Sequence, residues 1–156
     1  MADSKGTASL MKIGIFLAAV IIVVRIILEQ AGAPEMINNI FGVAWLYFVF
    51  PVLFALRIAR DRETGRVKAL FREVFLFAVY TRLMVAVSYM AAYQFQWTAP
   101  RFSAAMGGNV GPGVSPLSGL LLIPGRNALI WIVLATALGM IIGGVTLWAK
   151  KKPAAA

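Results

Sequence analysis

The 156-residue sequence contains no cysteine and no histidine. Without thiolate and imidazole side chains, the chain cannot ligate haem, an iron–sulfur cluster or a Cys/His zinc site. Disulfide formation and thiol–disulfide chemistry are excluded for the same reason. We therefore expect no cofactor held by such side chains of this chain, whereas a bound lipid or quinone is compatible with the sequence.

Acidic residues are also scarce: six Asp and Glu oppose fifteen Lys and Arg, which gives a formal net charge of +9. In a soluble protein this surplus would indicate nucleic-acid binding. Here 61% of the residues are hydrophobic, the mean hydropathy is +0.84, and the basic residues flank apolar runs. Anionic lipid is therefore the expected partner, and nucleic acid is not.

Several apolar runs approach or exceed the roughly 18–20 residues that a transmembrane helix needs. The sequence predicts an all-α integral membrane protein that forms a single membrane domain, residues 1–156. It leaves no room for a separate soluble domain. The four predicted transmembrane helices span about 13–29, 40–57, 74–95 and 127–149.

Positive charge sets the predicted orientation. The loop 57–73 holds six of the fifteen Lys and Arg residues, and short basic loops stay on the cytoplasmic side of a membrane. Lys5, Lys12 and Lys150–Lys152 would join it there, which predicts an N-in/C-in topology in a bacterial cytoplasmic (inner) membrane. The residues expected to contact anionic lipid are Arg57, Arg60, Arg62, Arg66, Lys68 and Arg72.

Local sequence patterns predict the structure of two segments on the expected cytoplasmic side. Residues 1–12 are small and polar, which predicts a short and loosely ordered tail. Between residues 66 and 72, apolar Val67, Leu70 and Phe71 alternate with basic residues. That pattern is typical of a short helix that lies along the membrane surface and runs into the third span.

Apart from Arg57 at the end of the second span, two arginines fall within the predicted spans. Arg82 lies near the midplane of the third span, where a permanently charged guanidinium needs a partner or solvent. Tyr89 and Tyr93 share its helical face, so the three residues form a candidate intramembrane polar site. Arg25 lies at the outer end of the first span, four residues before Glu29. We expect Arg25 to reach the headgroups with Glu29 as a loose partner, the alternative being a buried ion pair at a subunit contact.

The partner of Arg82 is left open by the sequence. Tyr and Thr hydroxyls, backbone carbonyls freed by Pro51 and the side chain of Gln94 are candidates within the chain. A carboxylate of another subunit, a lipid phosphate and a quinone carbonyl are candidates outside it.

The predicted outer loop, residues 96–126, is long and rich in Gly and Pro. It contains an apolar patch between Pro116 and Pro124 that is too short to span a membrane. We expect this patch to dock on another polypeptide or on the membrane interface. Its docking residues are Leu117, Leu120, Leu121, Leu122 and Ile123.

The fourth predicted span carries Gly139 and Gly143 on one face. A small-xxx-small pattern of this kind lets two helices approach closely. It predicts a helix-packing surface but does not distinguish packing within the chain from homo-oligomer formation.

No nucleophile–base pair and no metal-binding set can be assembled from these residues, which disfavours an enzyme. The sequence favours a non-catalytic accessory or structural subunit of a larger, energy-transducing type of membrane complex. The alternative is a small oligomeric channel or transporter in which Arg82 binds an anion or substrate. The surroundings of Arg82 distinguish the two, because transport requires a wet cavity whereas a subunit would bury Arg82 in a dry contact with another chain.

Overall fold

The computed structural model describes residues 4–62 and 64–150, and the side chains from residue 7 onward within them. Across these ranges the chain is helical and contains no β-strand, apart from one isolated bridge between Ser103 and Val110. Lys5, Glu63, Lys151 and Lys152 lie outside the described side chains. The α-helices are α1 (Ser4–Gln30), α2 (Glu35–Ile40), α3 (Leu46–Asp61), α4 (Arg66–Phe95) and α5 (Ile123–Ala149).

Four helical segments of the described chain are long and apolar enough to cross a membrane. This confirms the all-α class and the number of predicted spans. The four segments are Thr7–Gln30, Glu35–Asp61, Arg66–Phe95 and Ser118–Ala149.

The local predictions for residues 1–12 and 66–72 have different outcomes. α1 begins at Ser4, so residues 4–12 are helical rather than a loose tail. α4 begins at Arg66 and continues without a break to Phe95, so residues 66–73 are helical and run into the third span as predicted. Their position along a membrane surface stays a prediction. The residues concerned include good helix formers and no proline, and Gly65, with a φ of 66°, provides the left-handed turn before α4.

The apolar patch was wrongly placed in a loop. Ser118–Leu122 is a π-helical segment that runs directly into α5, so the patch forms the first turns of the fourth candidate span. Pro124 follows this segment and has no N–H with which to continue an α-helical ladder. A wider turn in front of it is consistent with that missing donor. Leu117, Leu121 and Leu122 are exposed there.

The second span is divided by Gly42. α2 ends at Ile40, the backbone of Gly42 is extended with φ −98° and ψ 131°, and a single 3₁₀ turn, Val43–Trp45, leads into α3. The resulting offset leaves space beside Gly42 at one end of the bundle. We call this end, which also carries residues 96–117, the loop end; the opposite end, which carries residues 57–68, is the basic end.

Toward the basic end, α3 and α4 meet through three phenylalanines. Phe50 stacks on Phe77 with ring centroids 4.9 Å apart, and Phe54 meets Phe77 edge-on at 5.9 Å. The absence of a side chain at Gly14 lets these rings pack directly against α1, because a Cβ there would lie 2.7 Å from the Phe50 ring. We call Phe50, Phe54 and Phe77 the aromatic layer; all three rings are almost completely buried.

Gly139 and Gly143 place α5 against the same chain. A Cβ on Gly139 would lie 2.5 Å from the Val74 side chain, and one on Gly143 would lie 2.9 Å from Leu70. Both would also lie 3.1 Å from Pro51. The small-residue face is thus occupied by α3 and α4, with buried Pro51 inside α3 at the contact.

Residues 96–117 fold onto the loop end. The Asn109 side chain donates hydrogen bonds to the carbonyls of Tyr89 at 2.6 Å and Gly119 at 2.8 Å. The Tyr93 hydroxyl donates to the Val114 carbonyl at 3.2 Å. This connection is therefore tied to both α4 and the start of α5.

Candidate functional site: an arginine cleft at the loop end

Arg82 lies inside the bundle, with 8% of its surface exposed. Its guanidinium carbon is 4.5 Å from the ring centroid of Trp131 and 5.0 Å from that of Tyr47. Two aromatic faces attract the cation through their ring quadrupoles. Arg82 therefore faces protein, and two of its neighbours are aromatic rings of other helices.

The aromatic contacts do not satisfy every donor of Arg82. Its buried Nε has no hydrogen-bond partner among the residues that the structure describes. None of the ion pairs formed within residues 4–62 and 64–150 includes Arg82. A buried, unpaired guanidinium is costly, and in a membrane protein such a group marks a functional site by default.

Tyr47 is held in place from α4. The hydroxyl of Thr81 donates to the Phe77 carbonyl at 2.7 Å, so the Tyr47 hydroxyl, 2.6 Å from Thr81 Oγ1, acts as the donor to Thr81. This pair fixes the Tyr47 ring against Arg82. It also places the ring directly above the aromatic layer, because Phe77 is one helical turn nearer the basic end.

A second charged cluster lies farther toward the loop end. Glu29, whose side chain is 3% exposed, accepts a hydrogen bond from Arg25 Nε at 2.8 Å on one carboxylate oxygen. Its other oxygen accepts from Arg101 Nε at 2.7 Å. The expected loose Arg25–Glu29 pair is therefore a close ion pair within the chain, with a buried carboxylate that also binds a residue of the 96–117 connection.

Arg101 is held by rings as well as by Glu29. Its guanidinium carbon lies 4.2 Å from the Phe102 ring centroid and 5.7 Å from that of Tyr89. Burial lowers the pKa of Arg101 below its ordinary value, while the charge of Glu29 opposes that shift. Arginine nevertheless stays protonated at physiological pH. Its buried Nη2 has no hydrogen-bond partner in the described part of the chain.

The two clusters line two neighbouring chambers with shared wall residues, and we call the two chambers together the arginine cleft. Its polar chamber has a volume of about 460 Å³ and its aromatic chamber about 390 Å³. Both chambers are lined by Arg25, Asn39, Tyr89 and Arg101. Glu29, Glu35 and Asn38 complete the polar chamber, whereas Arg82, Trp45 and Trp131 line the aromatic chamber.

The cleft has a positive charge balance. Arg25, Arg82 and Arg101 contribute three cations, against Glu29 and Glu35 at the polar chamber. Glu29 is already bonded to two of the arginines. Guanidinium groups favour phosphate or carboxylate ligands, to which they donate charge-assisted hydrogen bonds.

The predicted tyrosines separate into two environments. Tyr89 lines both chambers and a further cavity of about 60 Å³ beside Arg82. Tyr93 lies elsewhere: its ring packs on Gly119, where a Cβ would lie 2.1 Å from it. At 1.5 Å per residue, Tyr93 is roughly 16 Å from Arg82 along α4, too far to share its site.

At the basic end, three of the residues expected to contact lipid also bind within the chain. Arg57 pairs with Asp61, Arg72 Nη2 lies 2.6 Å from Glu73 Oε1, and Arg66 Nε donates to a backbone carbonyl at 2.5 Å. Arg60 and Lys68 are exposed. Lipid contact at this end stays a prediction.

Sequence reasoning missed Arg25, Glu29 and Arg101 as site residues. The four-residue spacing of Arg25 and Glu29 was a visible signal, and Arg101 was one of two charges in the predicted outer loop. No local pattern connects Glu29 with Arg101, which is 72 residues farther along the chain.

Within residues 4–62 and 64–150, no group of three or more His, Cys, Asp or Glu side chains converges in a way that would hold a metal ion. Compared with known protein families, curated proteins and solved structures, the chain matches none of them. Its function is therefore argued from the site alone.

Proposed function

We propose that this chain is a non-catalytic membrane protein that binds an anionic ligand in the arginine cleft, as an accessory subunit of a larger membrane assembly. The observation that carries the proposal is Arg82: its buried Nε has no partner among the described residues, and its side chain lines a cleft shared with Arg25 and Arg101. An anion there would receive charge-assisted hydrogen bonds, which are stronger than neutral ones.

The shape of the bundle supports binding rather than conduction. Phe77 lies five residues before Arg82 on α4, about 7 Å nearer the basic end at 1.5 Å per residue. There the aromatic layer fills the space between α3 and α4 with rings that are at most 2% exposed. A ligand at Arg82 therefore has a closed core between it and the basic end. A closed core blocks passage through the bundle, which supports a binding subunit.

The orientation is part of the proposal. The cluster Arg57–Arg72 and Lys150 lie at the basic end, which the positive-inside rule assigns to the cytoplasm. The arginine cleft would then face outward, in a bacterial inner membrane. A membrane-impermeant reagent should label a cysteine at Gly107 in intact cells and one at Thr64 only after permeabilisation. Labelling of position 64 in intact cells would reverse the orientation.

Binding is testable with two kinds of anion. The purified chain in a nonionic detergent would be titrated with inorganic phosphate and with micellar phosphatidylglycerol, using calorimetry and tryptophan fluorescence. We expect saturable binding of at least one, weakened about 10-fold to 100-fold in Arg82→Met, because a charged hydrogen bond is worth about 1.5–3 kcal/mol.

The matched control is Arg126→Met, which removes the same charge from an exposed position that does not line either chamber. It should bind as the wild type does. Thermal unfolding establishes that each variant is folded. A folded Arg82→Met protein that binds both anions as tightly as the wild type would overturn the proposal, as would a wild type that binds neither.

The second candidate, a small oligomeric transporter that uses Arg82 as a substrate site, is favoured by the open arginine cleft. The two functions separate in liposomes that contain the purified chain alone. We expect no phosphate flux and no ion conductance in that preparation. Robust flux that is lost in Arg82→Met and kept in Arg126→Met would promote the transporter instead.

A further inference from the structure

The aromatic chamber reaches the outer surface of the bundle. Trp45, which precedes α3, is 61% exposed, and Trp131 on α5 is 45% exposed. Both line the same chamber as Arg82, together with Val43 and Ala44. We call Trp45 and Trp131 the tryptophan flank.

The flank belongs to membrane-spanning segments. Trp45 lies within the candidate span Glu35–Asp61 and Trp131 within Ser118–Ala149. Exposed surface on such segments faces lipid, where large aromatic rings offer apolar area for contact. The aromatic chamber therefore opens sideways toward the membrane.

The two chambers differ in chemistry and lie next to each other. The polar chamber carries Glu29, Glu35 and two asparagines, whereas the aromatic chamber adds Ile22, Val43 and two tryptophans. Arg25 and Arg101 stand at the boundary, since both chambers include them. A ligand that fills both must have an anionic head and an apolar body.

Volume supports the same kind of ligand. Each chamber, at about 460 Å³ and 390 Å³, falls in the range of roughly 300–1,000 Å³ that is common for sites of drug-sized molecules. An inorganic anion beside Arg82 would leave most of the aromatic chamber to water against tryptophan and valine. An acyl chain or similar body would cover that surface.

We infer that the ligand is an anionic amphiphile, a phosphate or carboxylate head on an apolar tail, that reaches the cleft sideways from the membrane. Its head lies among Arg25, Arg82 and Arg101, and its tail crosses the tryptophan flank. This inference rests on the proposed anion-binding function and adds the class of ligand and its route.

The test compares three probes on the full-length chain in nonionic detergent: phosphatidylglycerol, glycerol phosphate and phosphatidylcholine. Phosphatidylglycerol combines the charge with tails, glycerol phosphate carries charge without tails, and phosphatidylcholine has tails without net charge. Binding is measured by native mass spectrometry and by tryptophan fluorescence. We expect phosphatidylglycerol to bind about 10-fold or more tightly than either of the others.

Two tryptophan variants test the route. Trp45→Ala should weaken the binding of phosphatidylglycerol by about 3-fold to 10-fold and leave the affinity for glycerol phosphate unchanged. The reason is that the substitution removes contact with the tail alone. Trp148→Ala is the control, since this residue is 72% exposed and lies at the far end of α5. It should bind phosphatidylglycerol as the wild type does.

The outcomes separate the two levels of the proposal. If glycerol phosphate bound as tightly as phosphatidylglycerol, and its binding depended on Arg82, the inference of an amphiphilic ligand would be wrong. The proposal of an anion site would stand. Phosphatidylcholine binding equally well would overturn the anionic head. Failure of every anion to bind in an Arg82-dependent manner would remove the proposed function itself, and equal phosphatidylglycerol affinities for Trp45→Ala and Trp148→Ala would overturn the sideways route.

Discussion

The two ends of this bundle bury their side chains by different means. At the aromatic layer, Phe50, Phe54 and Phe77 fill the space between α3 and α4, and Gly14 makes room for them. At the loop end, chambers of about 460 Å³ and 390 Å³ remain beside α4, and Arg82 lines the smaller one. Close packing stabilises a fold, whereas open volume around an unpaired cation does not. The comparison indicates that the basic end stabilises the fold, whereas the loop end carries the proposed ligand site.

The largest expected effect lies in the aromatic layer. Phe77→Ala removes a ring that is 1% exposed and should lower the free energy of unfolding by about 3–5 kcal/mol, because a cavity replaces packed contacts. Thermal unfolding in detergent measures the loss. Phe16→Ala, at a position 68% exposed on α1, should change stability little. Equal losses in the two variants would break the assignment of stability to this layer.

Glu29→Gln tests the charged cluster of the loop end. Loss of the carboxylate leaves Arg25 and Arg101 without their shared partner, which should cost about 1.5–3 kcal/mol. Hydrogen exchange should rise across residues 100–110 and stay low in α3. The affinity for phosphatidylglycerol should increase about 10-fold, because the negative charge nearest the arginines is gone.

Glu35→Gln is the control for the Glu29→Gln variant. Glu35 lines the polar chamber without an ion pair in the described part of the chain, so its loss should leave stability unchanged and raise affinity less. If Glu29→Gln weakened anion binding, the carboxylate would be a positioning group for the arginines rather than a competitor of the ligand.

Two adjacent glycines sharpen the comparison on α5. Gly143→Ala should cost about 1–3 kcal/mol, because its Cβ would lie 2.9 Å from Leu70 and 3.1 Å from the Pro51 carbonyl. Gly144→Ala meets nothing within 4 Å and should be neutral or stabilising by up to about 1 kcal/mol. Thermal unfolding of both variants measures the difference, and phosphatidylglycerol binding should persist in each. A Gly143→Ala protein as stable as Gly144→Ala would contradict close packing of α5 on α3 and α4.

Hydropathy was sufficient to predict the four spans, because apolar length is a property of the local sequence. It failed at Leu117–Ile123, where seven apolar and small residues between prolines were too few to be taken for a span, and only their continuity with α5 makes them helical. Proline at the start of a helix and proline in a loop produce the same local pattern.

The site was predictable in part for a similar reason. A charge at the middle of a span has to face protein, so Arg82 was found from its depth alone. Its partners Tyr47 and Trp131 lie on other helices, and the Glu29–Arg101 contact joins residues 72 apart in the chain. Contacts of that kind depend on how the helices pack, which residue spacing does not encode. Tyr93 shows the converse error: it shares the helical face of Arg82 but lies too far along α4.

The smallest effect on stability is expected for the residue with the greatest effect on binding. Arg82→Met keeps an apolar stem of similar length and removes the charge. Its contacts with Tyr47 and Trp131 are each worth roughly 0.5–2 kcal/mol. The desolvation of an unpaired cation opposes them with several kcal/mol. Because these contributions oppose each other, the free energy of unfolding should stay within about 1 kcal/mol of the wild type or rise. We expect this small effect even though Arg82 is as buried as many residues of the core. The same variant should bind phosphatidylglycerol much more weakly than the wild type does. A loss of stability as large as that of Phe77→Ala would show that Arg82 is a structural element of the bundle, and the contrast between the two ends would no longer separate stability from binding.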